Sequence, residues 1–126
     1  MSKITVITQR TAICRLGPDD EIPSWVQDSE LNAIVRTPDE LSIVCDERSV
    51  PGSIKVDKGW RILKVAGPLD FSQVGVLAAI LRPLAQAGVS IFTISTFDTD
   101  YILVKEENLE LAVNILISSG HIIEDT

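Results

Sequence analysis

Gly59-Trp60-Arg61-Ile62-Leu63-Lys64-Val65-Ala66-Gly67-Pro68-Leu69-Asp70-Phe71 opens the stretch that decides the fold. Arg61 to Ala66 has the length of a strand, with Leu63 and Val65 on one face and Ile62 and Lys64 on the other, and Gly67-Pro68 ends it. From Gln73 to Ala87, Leu77, Ile80, Leu81 and Leu84 recur at helical spacing, while Gly75, Arg82 and Gln86 gather on the opposite side. An amphipathic helix follows, with Ser72 or Asp70 as its cap and Gly88 as a left-handed terminator. Pro83 removes the bond to the Ala79 carbonyl and predicts a bend or break there.

Val89 to Thr96 and Tyr101 to Lys105 are rich in β-branched and aromatic residues, and Asp98-Thr99-Asp100 between them reads as a hairpin turn. Leu109, Ala112, Val113 and Leu116 then repeat the helical stripe up to Gly120, with Glu106 and Glu107 where the helix dipole favours negative charge. The order is βαββα, with room for a last strand. Leu111 and Ile115 lie off the stripe and predict that a further surface covers them.

The preceding half looks like a reduced copy of the same plan. Ile4 to Leu16 is strand-like, Ile22 to Val26 is at most a turn or two of helix, and Leu31 to Val35 is a strand candidate. Thr37-Pro38-Asp39-Glu40 has the marks of a helix start: a threonine cap, proline in the first helical position and glutamate at the capping-box position. Leu41-Ser42-Ile43-Val44-Cys45 alternates like a strand directly afterwards, so a single helical turn is expected in place of a full helix. Asp46 to Gly59, with Pro51 and Gly52, reads as the connection, which divides the chain into units 1–58 and 59–126.

Composition limits the function. In 126 residues, hydrophobic side chains make up 45% and aromatic ones 5%, so the core is aliphatic and few rings remain to stack bases. The formal charge of −7 disfavours nucleic acid and anionic lipid as partners. No charged-then-apolar leader opens the chain and no apolar run approaches the roughly 20 residues of a membrane span, so a cytoplasmic address is expected. Cys14 and Cys45 each sit in apolar alternation and read as buried free thiols, with a disulfide as the alternative. One histidine and two dispersed cysteines offer no metal-ligand spacing, and no cofactor is expected.

Leu41-Ser42-Ile43-Val44-Cys45, Gly59-Trp60-Arg61, Gly67-Pro68-Leu69-Asp70-Phe71, Gly75-Val76-Leu77-Ala78 and Ser95-Thr96-Phe97-Asp98-Thr99-Asp100-Tyr101-Ile102-Leu103-Val104 together resemble the ACT-domain group related to the CASTOR arginine sensors and to the regulatory domains of aspartate kinases. The resemblance spans essentially the whole chain. It implies an α+β, ferredoxin-like βαββαβ unit in tandem, the first abbreviated, and a non-catalytic module that binds a small effector, usually an amino acid, between units. It further implies that the effector lies in the loop Leu69, Asp70, Phe71, Ser72, Gln73, Val74, Gly75 and Val76, facing a strand like Ile94-Ser95-Thr96. The 126 residues hold no kinase or dehydrogenase domain, so the regulation that the resemblance implies is expected to act on a separate partner.

A free amino acid needs a receptor for its carboxylate and an acceptor for its ammonium group. Unpaired amides where the helix opens supply the first, Gly75 permits close approach, and Asp70 could supply the second. The plainer alternative is that Asp70 or Ser72 caps the helix and Gly75 allows tight packing. Asp98 and Asp100 flank the hairpin tip, where turn chemistry competes with pairing to a cationic ligand. His121 reads as a helix-terminal cation or a strand starter, and Trp25 and Trp60 as packing residues, Ser24-Trp25 being a possible ligand wall. The loop from Gly67 to Ser72 lacks the arginine of a phosphatase and the Cys-x-x-Cys of a metal carrier, and a lone histidine supports no triad. The remaining alternative to a receptor is a ligand-free association module, and in either case a homodimer is expected.

Overall fold

The computed structural model describes residues 2–26, 28–66 and 75–125. They form strands β1 (Lys3–Leu16), β2 (Ala33–Arg36), β3 (Leu41–Asp46), β4 (Lys55–Val65), β5 (Ile91–Ser95), β6 (Asp100–Lys105) and β7 (Ile122–Asp125). Two helices accompany them, α1 (Val76–Gln86) and α2 (Leu109–Ser118). The chain divides into two compact units, residues 1–8 with 61–126, and residues 9–60. The expected division at 58/59 lies two residues from the observed one in β4, but the first eight residues are grouped with the second half rather than the first.

The unit of residues 1–8 and 61–126 has the strand order β7-β1-β4-β6-β5. β7 runs parallel to β1, Lys3 opposite Ile122 through Val6 opposite Asp125, and is the last strand for which the sequence left room. Two periodicities meet in its core. Ile4 and Val6, Leu63 and Val65, and Ile102 and Val104 alternate onto one face of the sheet, while Ile80 and Leu84 on α1 and Ala112 and Leu116 on α2 repeat every four residues. All belong to one cluster with Val89, and Leu77, Leu81, Leu109 and Val113 pack around it. Each leucine fully buried there contributes about 1.5–3 kcal/mol of transfer free energy.

Pro83 does not break α1, which continues to Gln86 with the Ala87 N–H closing onto the Pro83 carbonyl at 3.2 Å. Burial of Ile80 and Leu84 on either side holds the helix against the sheet and offsets the missing bond. The helix also begins later than the positions read as caps. Its N-cap is Gly75 at φ +86°, a left-handed conformation that the helix cannot extend through, whereas Asp70 and Ser72 lie outside the described residues. Leu111 is 47% exposed, as expected of a residue off the stripe, but Ile115 packs against the core of its own unit. His121 lies buried between α2 and β7. Its Nδ1 accepts from the Ser2 N–H at 3.1 Å, its own N–H donates to the Leu116 carbonyl, and the side chain is buried.

The unit of residues 9–60 has the order β2-β3-β1-β4 and, among the described residues, no α-helix. Ala12, Cys14, Leu41, Ile43, Cys45 and Val50 form its core, flanked by Leu16, Trp25, Val26, Ile54 and Val56. Ile22 to Val26 makes only a turn. The tract expected as a bare connection holds a 3₁₀ turn (Glu47–Ser49) and the first five residues of β4. Within β4, Gly59 takes φ +82° and its N–H donates to Glu47 Oε1 at 3.0 Å, a local irregularity that glycine tolerates in a strand.

Thr37-Pro38-Asp39-Glu40 forms no helical turn. It closes a hairpin in which Arg36 faces Leu41, the Thr37 N–H donates to the Glu40 carbonyl at 2.9 Å, and Thr37 Oγ1 accepts from the Asp39 and Glu40 amides at 3.2 Å each. Cys14 and Cys45 are free and buried. The register sets Ala12 opposite Cys45 and Cys14 opposite Ile43, so the thiols are diagonal neighbours on one face. Burial first, then the adjacent Cys14, pushes the Cys45 thiol up to about 12.

Candidate functional site

The end of α1 that begins at Gly75 and the β5–β6 turn lie at the same end of their unit. A helix of 11 residues rises about 16 Å and a strand of five spans about the same, so α1, returning through a short link into β5, brings its start level with the end of that strand. Of the sequence-predicted site residues, Gly75, Val76, Ile94, Ser95, Thr96 and Asp98 are thereby gathered at one end. Leu69, Asp70, Phe71, Ser72 and Val74 lie outside the described residues.

Two kinds of chemistry are present there. At α1, no side chain among the described residues caps the opening turn from Gly75, no acidic residue occupies that turn, and the Ala79 N–H donates to the Gly75 carbonyl at 2.9 Å. The first helical amides thus keep their partial positive charge. A Cβ at Gly75 would meet nothing within 4 Å among the described residues, and the left-handed φ is what asks for glycine there. With Ala78, Ala79, Arg82 and Pro83 it lines a hollow of about 300 Å³ on the solvent side of the helix.

The hairpin turn is held internally. The Thr96 N–H donates to the Thr99 carbonyl at 2.8 Å, Thr96 Oγ1 accepts from the Thr99 N–H at 3.2 Å, and Ser95 Oγ donates to Asp100 Oδ1 at 2.6 Å. Asp100 is therefore engaged within the hairpin, while Asp98 and Phe97 stand exposed at its tip, Phe97 at 77%. This turn chemistry is the plainer of the two readings offered for the acids, and for Asp100 it is the one realised.

The unit of residues 9–60 contains a cleft that the sequence reading reached only through Trp25. About 450 Å³ in volume, it is lined by Trp25, Asp28, Asp46, Arg48 and Ser49. Asp46 ends β3 and caps the 3₁₀ turn, with its Oδ1 accepting from the Arg48 N–H at 2.9 Å and from Nε at 3.1 Å, and its Oδ2 from Nη2 at 2.7 Å. Those bonds hold the Asp46 carboxyl below its usual range and raise Arg48 further. Asp46 and Arg48 are separated by one residue at the end of an alternating run. No motif in the sequence marks such a pair as a unit, and only the sharp turn after β3 folds one onto the other.

The βαββαβ order of residues 61–125 is ferredoxin-like, and residues 9–60 add strands and, among the described residues, no α-helix. The family model described as ACT domain matches residues 55–118, and a second, described as an N-terminal domain, matches residues 10–53. This chain belongs to the ACT domain family. It is 41% identical over 84 residues to the cytosolic arginine sensor for mTORC1 subunit 1 of Rattus norvegicus and 40% identical over 84 residues to that of Homo sapiens. The matched segment is 60% of this chain but about a quarter of those curated relatives. Among solved structures, a protein from Agrobacterium tumefaciens superposes with a TM-score of 0.94 at 35% identity, covering 99% of this chain and 93% of that one. Aspartokinase alpha and beta subunits superpose with a TM-score of 0.67 at 20% identity, over 93% of this chain and 96% of that chain, a likeness of fold. No helix among the described residues is long and apolar enough to cross a membrane.

Proposed function

We propose that this chain is a non-catalytic regulatory module of the cytosol that binds an amino acid where residues 69–76 lead into α1, and that it signals occupancy to a separate protein partner. What supports the reading is a start of α1 without a side-chain cap among the described residues, at the same end of its unit as the β5–β6 turn, in a chain 41% identical to an arginine sensor over 84 residues. An α-carboxylate meets the first amides of α1, which the backbone of Gly75 leaves open to approach. Asp70 and, from the hairpin tip, Asp98 supply negative charge for the ammonium group, and Ile94, Ser95 and Thr96 form the facing strand. Regulation requires that the ligand bind one docking state better than another, and couplings of about 1–3 kcal/mol are usual.

Thermal denaturation in the presence of each amino acid in turn tests it. One or a few selectively raise the melting temperature, by the logarithm of concentration over dissociation constant, and Asp70→Ala removes the shift. A shift that survives Asp70→Ala places the ligand elsewhere. No shift with any amino acid leaves the second reading, a ligand-free association module, which the exposed Leu111, Ile117 and Ile122 favour. Under both readings the chain is a homodimer, and sedimentation velocity showing only monomer at every concentration contradicts that.

A further inference from the structure

Three polar groups lining the cleft of residues 9–60 keep hydrogen-bonding capacity that the described residues do not use. The Asp46 carboxylate occupies Nε and one edge of Nη2 of Arg48, and among the described residues nothing accepts from the remaining guanidinium N–H groups. The Asp28 carboxylate and the Ser49 hydroxyl likewise have no hydrogen-bond partner among the described residues, and both line the same space. Trp25 forms a wall. It is half-buried and packs against the core of its own unit, which limits the freedom its ring loses on meeting a ligand. A volume of about 450 Å³ falls within the usual range for small-molecule sites.

The charges select the ligand. Asp46 and Arg48 neutralise one another, yet the guanidinium still presents a planar edge suited to a carboxylate, held in orientation by its bonds to Asp46. Asp28 adds one uncompensated negative charge, which repels a simple anion and attracts an ammonium group. Arg48 in turn repels a simple cation. We propose that this cleft is a second small-molecule site, taking a zwitterion whose carboxylate meets Arg48 and Ser49, whose ammonium group meets Asp28, and whose carbon skeleton lies on Trp25. The site is separate from the one at α1 and does not depend on it.

NMR of the full chain, labelled with ¹⁵N, reads the site directly, because its two tryptophans give two indole signals. Leucine, arginine and glutamate serve as zwitterionic probes. 4-Methylpentanoate and 3-methylbutylamine are the two halves of leucine, each lacking one charge. At least one zwitterion is expected to shift the Trp25 indole and Arg48 Nε signals saturably. The two halves should bind at least an order of magnitude more weakly, Arg48→Gln should abolish the shift, and Arg48→Lys should weaken it. The proposal is overturned if no zwitterion moves the Trp25 signal, if 4-methylpentanoate binds as well as leucine, or if Arg48→Gln leaves the shift intact. Shifts confined to Gly75 and Ser95 to Asp98 overturn it too, while supporting the site at α1.

Discussion

Two four-residue turns, Thr37-Pro38-Asp39-Glu40 and Thr96-Phe97-Asp98-Thr99, close hairpins in different units with one hydrogen-bond scheme. In each, the N–H of the first threonine donates to the carbonyl of the fourth residue, and its hydroxyl accepts from the fourth residue's amide at 3.2 Å. Yet their sequences read differently. The first has every mark of a helix start and the second reads as a turn. The lesson is that a threonine hydroxyl bonding an amide further along serves a helix cap and a tight turn equally, and that proline's fixed φ suits the opening position of both. What separates them is the partner of the next segment. Leu41 to Asp46 pairs with β2 on one side and β1 on the other, and those ladders leave no room for a helix.

The comparison can be broken most forcefully through the two cores. Leu84→Ala in one unit and Leu41→Ala in the other each remove a fully buried side chain and should cost about 2–5 kcal/mol in chemical denaturation. If Leu41→Ala were silent, packing would not be what holds the helix-free unit and its hairpin. Next in size is Gly75→Ala, which forces a left-handed conformation on an L-residue and should cost about 1–2 kcal/mol, with Gly75→Asn milder. An unchanged melting temperature would show that α1 can start elsewhere.

Thr37→Val and Thr96→Val sharpen the comparison itself. Each loses a hydroxyl that holds a turn amide, at a cost of about 1 kcal/mol, and near-equal losses would establish that the two turns share one chemistry. A loss confined to Thr96 would mean that the first turn is held by its proline alone. The smallest effect at neutral pH belongs to Cys45→Ala as a pH series. The folded thiol is raised from 9.0 to about 12, so its contribution is complete below about pH 9 and is lost as pH rises from there towards 12. The wild-type protein should therefore lose more stability than Cys45→Ala across that window, and parallel curves would contradict the burial argument. At the acid end the sign reverses. The lowered Asp46 carboxyl contributes above the ordinary carboxylate range and loses that contribution as pH falls, so the gap between wild type and Asp46→Asn should narrow in acid.

The unit of residues 61–125 was legible because its signals are long and periodic. The stripe Leu77, Ile80, Leu81 and Leu84 and the alternation in Arg61 to Ala66 each repeat often enough to outweigh any single dissonant residue, Pro83 included. The helix-free unit was legible only as strands. Its short links carry local signals that several conformations share, and the start of β4 at Lys55 lay hidden among the charges of an apparent linker. For the site, glycine at position 75 was visible, but its conformation as the helix cap was not, and the Asp46–Arg48 pair had no signature at all.

By itself the amino-acid sequence determined the periodicities, and with them the strands and helices, the aliphatic core and the family. Those properties follow from neighbours a few positions apart, which covalent geometry brings together without help from the rest of the chain. Tertiary structure alone decided that Thr37 closes a hairpin, that β1 sends its first residues beside β7, and that Trp25, Asp28 and Arg48 share one cleft. These depend on pairings between distant segments, where the ladder and the core outweigh any local preference.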